Sequence, residues 1–347
     1  MKTPYNARLV LLAAFLAALW FGGGFKALKR EELRLWNLVR AGQNALWERQ
    51  ISVGVPLSAE DDRLKTGFIG LDWSPLTTTL GSLDAKRASC NPLWAVQCLR
   101  WFDDLGIKRG DRIAIYSSAS FPGLLFSALA AAESRGLDVL LVVSLGSSTW
   151  GANRTEFPWP KMHRTLSGGG FVRTRPKFYT LGGGGERGGG IAPEAIDALS
   201  EMSRKDGVPL VVPRDIRDAV RIKSEALLEF APKLMINIGG SSANLGNSES
   251  AADIPPGLLR PDRKDKISVG DGVIARALGS GIPVLHLLNM RRLSLENGIP
   301  YDASRFSPMA ARTTPMTAIA ALVAFAVVLF THRRWEFSTQ PSNPKTT

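Results

Sequence analysis

Residues 111–154 constrain the fold more than any other part of the chain. A short apolar run, Ile113-Ala114-Ile115-Tyr116, leads into Ser117-Ser118-Ala119-Ser120-Phe121-Pro122-Gly123. An alanine-rich helical pattern follows over residues 124–135 and stops at Gly136. A second apolar run, residues 139–143, ends in Ser144-Leu145-Gly146-Ser147-Ser148-Thr149-Trp150-Gly151-Ala152-Asn153. The order is strand, small-residue turn, helix, glycine, strand, small-residue turn. Strands joined by a crossover of this length pair in parallel. Both turns then fall at the C-terminal ends of their strands, where open α/β sheets collect ligands.

The alternation continues towards the C-terminus. Residues 192–204 read as a helix ended by Gly207, and residues 208–212 as a strand weakened by Pro209, which donates nothing to a ladder. A helix over 215–230, a strand over 234–238 ending in Gly239-Gly240, a loop over 241–256, a helix over 272–278 and a strand over 283–289 complete the series. On the N-terminal side, Leu28, Leu33, Leu35, Trp36, Leu38, Val39, Leu46 and Trp47 mark an amphipathic helix over 26–50. Residues 74–87 mix hydroxyls, a carboxylate and two cations. They suit a helix cap or an anion site. A helix begins at Ser89 or Asn91, with Pro92 in its first turn, and ends at Gly106. The expected class is α/β: a mostly parallel Rossmann-like sheet flanked by helices, with a transmembrane helix at each end.

Two uncharged runs carry that last expectation. Residues 9–25 follow Lys2 and Arg8. Residues 315–331 precede His332, Arg333 and Arg334. Each is about 17 residues, the lower limit for a spanning helix. A cleaved signal peptide is the rival reading of the first, and a buried core helix that of the second. The chain divides into an anchor (1–25), an amphipathic linker (26–65), an α/β domain (66–312), a second span (313–333) and a tail (334–347). Lys2, Arg8 and the Arg333-Arg334 pair favour cytosolic termini. Lys26, Lys29, Arg30 and Arg34 argue the other way. Long intervening segments cross largely regardless of charge, so the domain is expected outside the cytoplasm.

The 43 Lys+Arg against 31 Asp+Glu give a formal net charge of +12, which favours a polyanionic partner. Neither a zinc ligand set nor an RNA-binding signature is present, so no nucleic acid is expected. No metal and no cofactor are expected either. Cys90 and Cys98 are too far apart on one helix for a disulfide, though a bridge is open to them if Cys90 precedes the helix.

The glycine-rich stretch 182–190 has neither a Walker A lysine nor dinucleotide-binding spacing. It is read as a nest of backbone N–H groups for a carboxylate or phosphate, or as a flexible loop. The turn at 117–123 is not a hydrolase elbow. Ser120 and Ser148 are nonetheless candidate nucleophiles; His286 reads first as a core histidine, and its sharper alternative is a general base reaching their turns. Asp84, Glu133, Glu156 and Asp302 are the carboxylates that could orient it. Candidate ligand-binding residues are Asp84, Lys86, Arg87, Asn153, Gly183, Gly184, Arg187, Asn237, Gly239 and Asn289. Residues 117–120, 146–153, 182–185, 237–240 and 286–289 are expected on one rim.

A set of phrases carries a resemblance. They are Thr77-Thr78-Thr79-Leu80-Gly81, Asp84-Ala85-Lys86-Arg87, Asn91-Pro92, Ser120-Phe121-Pro122, the run from Gly146 through Ser148 and Trp150 to Asn153, Leu181-Gly182-Gly183-Gly184-Gly185, Asn237-Ile238-Gly239-Gly240 and Pro283-Val284-Leu285-His286-Leu287-Leu288-Asn289. Together they resemble the poly-γ-glutamate system protein family, over residues 71–302. Cys90 stands where that pattern leads one to expect a small polar residue. The resemblance implies a membrane-anchored accessory protein of bacterial poly-γ-glutamate (capsule or secreted polymer) biosynthesis or export. The implied partners are the polymer, the membrane components of its synthase and the lipid bilayer. It carries over no catalytic residues. The alternative is an extracytoplasmic enzyme that hydrolyses or transfers the polymer with Ser120 or Ser148 and His286.

Overall fold

The central crossover forms as its pattern dictates. In the computed structural model, which describes residues 13–18, 25–262, 269–311, 319–320 and 322–327, it is the middle of a body spanning Lys29–Pro308. The body begins with α1 (Arg30–Ser52), β1 (Thr77–Thr79), α2 (Leu83–Ser89) and α3 (Leu93–Asp104). The crossover itself is β2 (Arg112–Ser118), α4 (Pro122–Arg135) and β3 (Asp138–Ser144). Proline opens α4 in its first turn. Gly136, at φ 70°, closes it in the left-handed conformation that a residue without Cβ adopts cheaply.

The chain continues through β4 (Ser147–Ser148), α5 (Trp159–Gly168), β5 (Phe178–Thr180), β6 (Gly182–Gly183), β7 (Arg187–Gly189), α6 (Pro193–Asp206) and β8 (Leu210–Val211). It ends with α7 (Ile216–Phe230), β9 (Leu234–Ile238), α8 (Ser242–Leu245), β10 (Gly257–Leu259), α9 (Val273–Gly279), β11 (Val284–Leu287) and α10 (Met290–Asn297).

Seven strands make the main sheet, in the order β10-β11-β9-β2-β3-β5-β8. All neighbours are parallel except β10, which runs antiparallel to β11. From β2 the chain winds outward through β3 and β5 to β8, then returns to β9 on the other side of β2. The strand order therefore reverses between β2 and β9, the kind of place where adjacent loops part and leave a crevice. Strand β8 is short and half-buried at the edge, where Pro209 costs no central ladder bond.

Each sheet face is apolar and covered by helices, as a parallel sheet requires. One face presents Ala114, Tyr116, Leu140, Val142, Met235 and Val284 to Leu227 of α7 and to Val273, Ile274 and Ala277 of α9. The residues one step along each strand, among them Ile113, Ile115, Leu141, Val143 and Ile236, are also buried. There α4 packs on β2 and β3, with α1 and α3 against it. Alanines at 128, 130, 131 and 132 keep α4 slim where it meets the sheet.

The region after Asn153, whose proline and glycine content masks periodicity, contains α5 and β5. The 241–256 segment, expected to be loop, carries α8 and a short 3-10 turn, Glu249–Asp253. Cys90 and Cys98 are free and buried.

The second unit comprises Met1–Leu28 and Met309–Thr347. In it Phe25–Ala27 pairs antiparallel with Met309–Ala311. Residues 13–18 and 322–327 are helical. Among the described residues no helix is long and apolar enough to cross a membrane, so the expected spanning helices are not seen. Much of both apolar runs, 9–25 and 315–331, lies outside the described residues.

Candidate functional site

Parallel strands bring their C-terminal ends to one edge, and four of them here end in hydroxyls or glycine. Strand β2 ends in Ser117-Ser118, β3 in Ser144, β5 in Thr180 before Gly182, and β9 runs into Gly239-Gly240-Ser241. A cleft of about 230 Å³ opens among these ends. Ser118, Ser120, Gly146, Gly183, Gly240 and Ser242 are among its lining, with Thr78 and Thr79 of β1 forming one wall. It therefore lies at the reversal between β2 and β9. Ser118 is 5 % exposed, and its hydroxyl has no partner among the described residues. A buried, unpaired hydroxyl costs about 1–3 kcal/mol, so one that lines a cleft is a donor awaiting an acceptor.

Behind the β1 wall stands Lys86. Strand β1 pairs with β4, Thr79 opposite Ser148, and Gly81 exchanges hydrogen bonds with the Thr149 hydroxyl at 2.7 and 2.9 Å. A Cβ at Gly81 would lie 2.9 Å from Ser148 Oγ, so only glycine admits this approach. Ser82 caps α2, and Lys86 projects from its buried side. Its Nζ donates to Ser120 O at 2.5 Å and lies 2.6 Å from Ser148 Oγ. It also sits 3.8 Å from the centroid of the Phe121 ring. Among the described residues no carboxylate pairs with it. Lys86 is 2 % exposed, and burial pushes its amine down to about 7.

The glycine-rich segment holds a second buried charge. Strand β6 pairs with β7, and Gly183 sits at φ +66° with its Cα close on Gly189 O; a Cβ there would lie 2.2 Å from that oxygen. The turn between them places Glu186 at φ 61°, with its side chain wholly buried. Its carboxylate pairs with Lys223 Nζ of α7 at 3.1 Å. It accepts hydrogen bonds from Ser144 Oγ at 2.9 Å, Thr180 Oγ1 at 2.6 Å, Ser241 Oγ and the Ala243 N–H. Burial alone would raise this acid. The Lys223 charge and the three hydroxyls outweigh it and hold the carboxyl below its ordinary range. The nest expected of residues 182–190 is thus turned inward. Instead of waiting for an anion, the loop supplies one.

The structure gathers only some of the expected residues. Ser120, Gly183 and Gly184 line the cleft, and Ser148 and Lys86 lie directly behind it. Arg187 is exposed. Asp84 and Arg87 line a different cavity with Asp62 and Tyr301, and the Arg87 guanidinium is bound by the Glu60 and Asp61 carbonyls. Asn153 clamps the chain before β1 through both Leu71 backbone groups and Thr77 Oγ1. Asn289 caps α10 from the left-handed region, at φ 60°. Asn237 bonds Gly239 O, Asn244 and His286 Nδ1, the last at 2.8 Å.

His286 stands beside Asn237 on the next strand, where burial pushes its imidazole down to about 4. Among the described residues its ring bonds Asn237 and neither Ser120 nor Ser148. None of Asp84, Glu133, Glu156 and Asp302 bonds it. Glu133, for one, is bound by the Arg173 and Thr174 N–H groups. Among the described residues no cluster of His, Cys, Asp and Glu could hold a metal.

Lys223 is absent from the expectations drawn from sequence, and Ser118 enters them only as part of the 117–120 rim segment, not as a ligand-binding residue of its own. Lys223 had a signal: it lies four residues from both Ala219 and Leu227, on the apolar stripe of α7, where a charge needs a buried partner. Ser118 shared the signal of its whole turn, and nothing in the sequence singles out one of its three serines. Comparison with family models, curated proteins and solved structures finds no match for this chain.

Proposed function

We propose that this chain is an accessory protein of bacterial poly-γ-glutamate synthesis or export, and that the cleft at the β2/β9 reversal binds carboxylates of the polymer. The observation that carries the reading is Ser118, a buried hydroxyl with no partner among the described residues, in a cleft otherwise lined by hydroxyls and glycine. Glycine lets a ligand approach backbone N–H groups closely, and hydroxyls add donors. Lys86, with no carboxylate partner among the described residues, adds positive potential behind the wall when protonated, below about pH 7. Each residue of a γ-linked glutamate chain carries one free carboxylate. The same edge already binds one carboxylate, that of Glu186, with hydroxyls and a lysine. The net charge of +12 draws a polyanion to the surface at long range.

The resemblance to the poly-γ-glutamate system proteins supplies the pathway and the partners, the membrane components of the synthase. The Rossmann-like reading of the sheet rests on its βαβ alternation and on its parallel strands. Anchorage in the cytoplasmic membrane at both ends rests on the two apolar runs and their basic flanks. Pairing of Phe25–Ala27 with Met309–Ala311 joins the segments next to those runs.

The test is a binding isotherm of the full chain in detergent with poly-γ-glutamate. Saturable binding is expected at low salt, weakening as salt screens the charges. Ser118→Val should weaken it about tenfold, as loss of one hydrogen bond to a charged group does. No binding at low salt would end the proposal.

A further inference from the structure

Behind this edge stands a pair of side chains that binding alone does not use. Ser148 Oγ and Lys86 Nζ are 2.6 Å apart, both nearly buried, and among the described residues no carboxylate competes for the amine. Its other contacts are the Ser120 carbonyl and the Phe121 ring. The Ser148 N–H donates to Ser120 Oγ at 3.0 Å, and Ser120 lines the cleft. Among the described residues nothing takes the Ser120 hydroxyl proton, which is left to face an oxygen in the cleft. Ser148 itself keeps 5 % of its surface exposed. A hydroxyl, a base within hydrogen-bond reach and a neighbouring donor are the parts of nucleophilic acyl transfer.

We propose that Ser148 is the nucleophile and Lys86 the general base of an acyl-transfer site acting on amide bonds of a carboxylate-bearing chain. The substrate class rests on the binding reading above; the Ser148–Lys86 pair does not. In the first step Ser148 Oγ bonds to the amide carbonyl carbon while its proton passes to Lys86 Nζ. The C–N bond then breaks, and the leaving amine takes that proton from Lys86. An ester on Ser148 remains. Water, or the amine of another chain, attacks the ester carbonyl and gives its proton to Lys86. As the C–Oγ bond breaks, the proton returns to Ser148 Oγ. The products are a carboxylic acid in the first case and a new amide in the second. The Ser120 hydroxyl is placed to hydrogen-bond the carbonyl oxygen as it becomes negative.

A lysine serves as base only when uncharged, and burial away from carboxylates is what leaves it so near neutral pH. Among the described residues, the groups facing it are Ser148 of β4, Ser120 and Phe121 ahead of α4, and Cys90 just past α2. Cys90 stays a neutral thiol, pushed up to about 12 by burial.

The experiment treats the full chain in detergent with an alkyl fluorophosphonate. Peptide mapping then locates the adduct, and the rate is followed from pH 6 to 9. The expected adduct is on Ser148, forming faster as pH rises through the neutral range. Ser148→Ala should abolish it. Lys86→Arg is permanently charged and offers no usable base, and should slow it about 100-fold, the lower end of general-base contributions. Lys86→Met, of similar length, is the second test if the arginine does not fit, with circular dichroism checking each fold. No adduct on Ser148, or one formed equally fast without Lys86, overturns the inference. Poly-γ-glutamate bound normally in that case leaves the binding reading intact. A Lys86-dependent adduct in a chain that ignores the polymer upholds the pair and removes the polymer as its substrate. Adduct and binding together predict shortened polymer and new amines on incubation, and an unchanged polymer would overturn the substrate class.

Discussion

At the scale of single residues, Lys86 joins structure to chemistry most directly, and its burial has a measurable cost. The folded amine titrates at about 7, against an ordinary value of 10.5. Between those values the unfolded chain binds more protons than the folded one, so stability rises with pH, by at most about 1.4 kcal/mol per unit. Below pH 7 the cost of charging the buried amine is fully present. Cys90 and Cys98, both pushed up to about 12 by burial, act in the opposite sense from about pH 8.5 upward. Denaturant unfolding between pH 7 and 8.5 should therefore show stability climbing, and Lys86→Met should flatten the climb. An unchanged slope in that variant would mean the amine is not the titrating group. His286, the base expected from sequence, is instead tied to Asn237. His286→Asn should alter the fluorophosphonate rate by less than about twofold, since general-base loss costs on the order of 100-fold or more. Sequence offered His286 because histidine titrates near neutrality. A lysine made neutral by its surroundings carries no such mark.

At the scale of elements, the glycine-rich loop shows where sequence runs out. Seven glycines around Glu186 and Arg187 read equally as nest or flexible loop, because glycine permits many conformations and specifies none. The deciding contact is with Lys223, 37 positions later, on a helix whose own pattern was legible. Central strands and the helices α4, α6 and α7 were legible because period and caps were both present. In β5 and α5, prolines and glycines hide the period. Glu186→Ala would leave Lys223 buried and unpaired, at a cost of roughly 3–5 kcal/mol. The loop should then lose its pin, and limited proteolysis should cut within residues 182–190, a cut absent from the wild type. Resistance to protease in that variant would show that glycine packing, as at Gly183 on Gly189, holds the loop without the ion pair.

At the scale of the molecule, the winding of the sheet places the cleft at the β2/β9 reversal. The parallel sheet was readable from the alternation of periods, and with it the edge that carries the cleft. Which residues of that edge share one cleft was not readable: Asn153 and Asn289 became structural ties, Arg87 faces elsewhere, and Lys86 turned inward. The proposed anchorage predicts that protease added to intact spheroplasts digests the body. Protection until lysis would place the body in the cytoplasm. The central claim is that the cleft, and not the basic surface at large, receives the polymer. Hydrogen exchange of the full chain with and without a γ-linked glutamate oligomer tests it most directly. Slowed exchange is expected only in peptides covering residues 118–121, 146–149, 182–184 and 240–242, and should be lost in Ser118→Val. Slowed exchange spread over exposed basic segments, with those peptides unchanged, would contradict it.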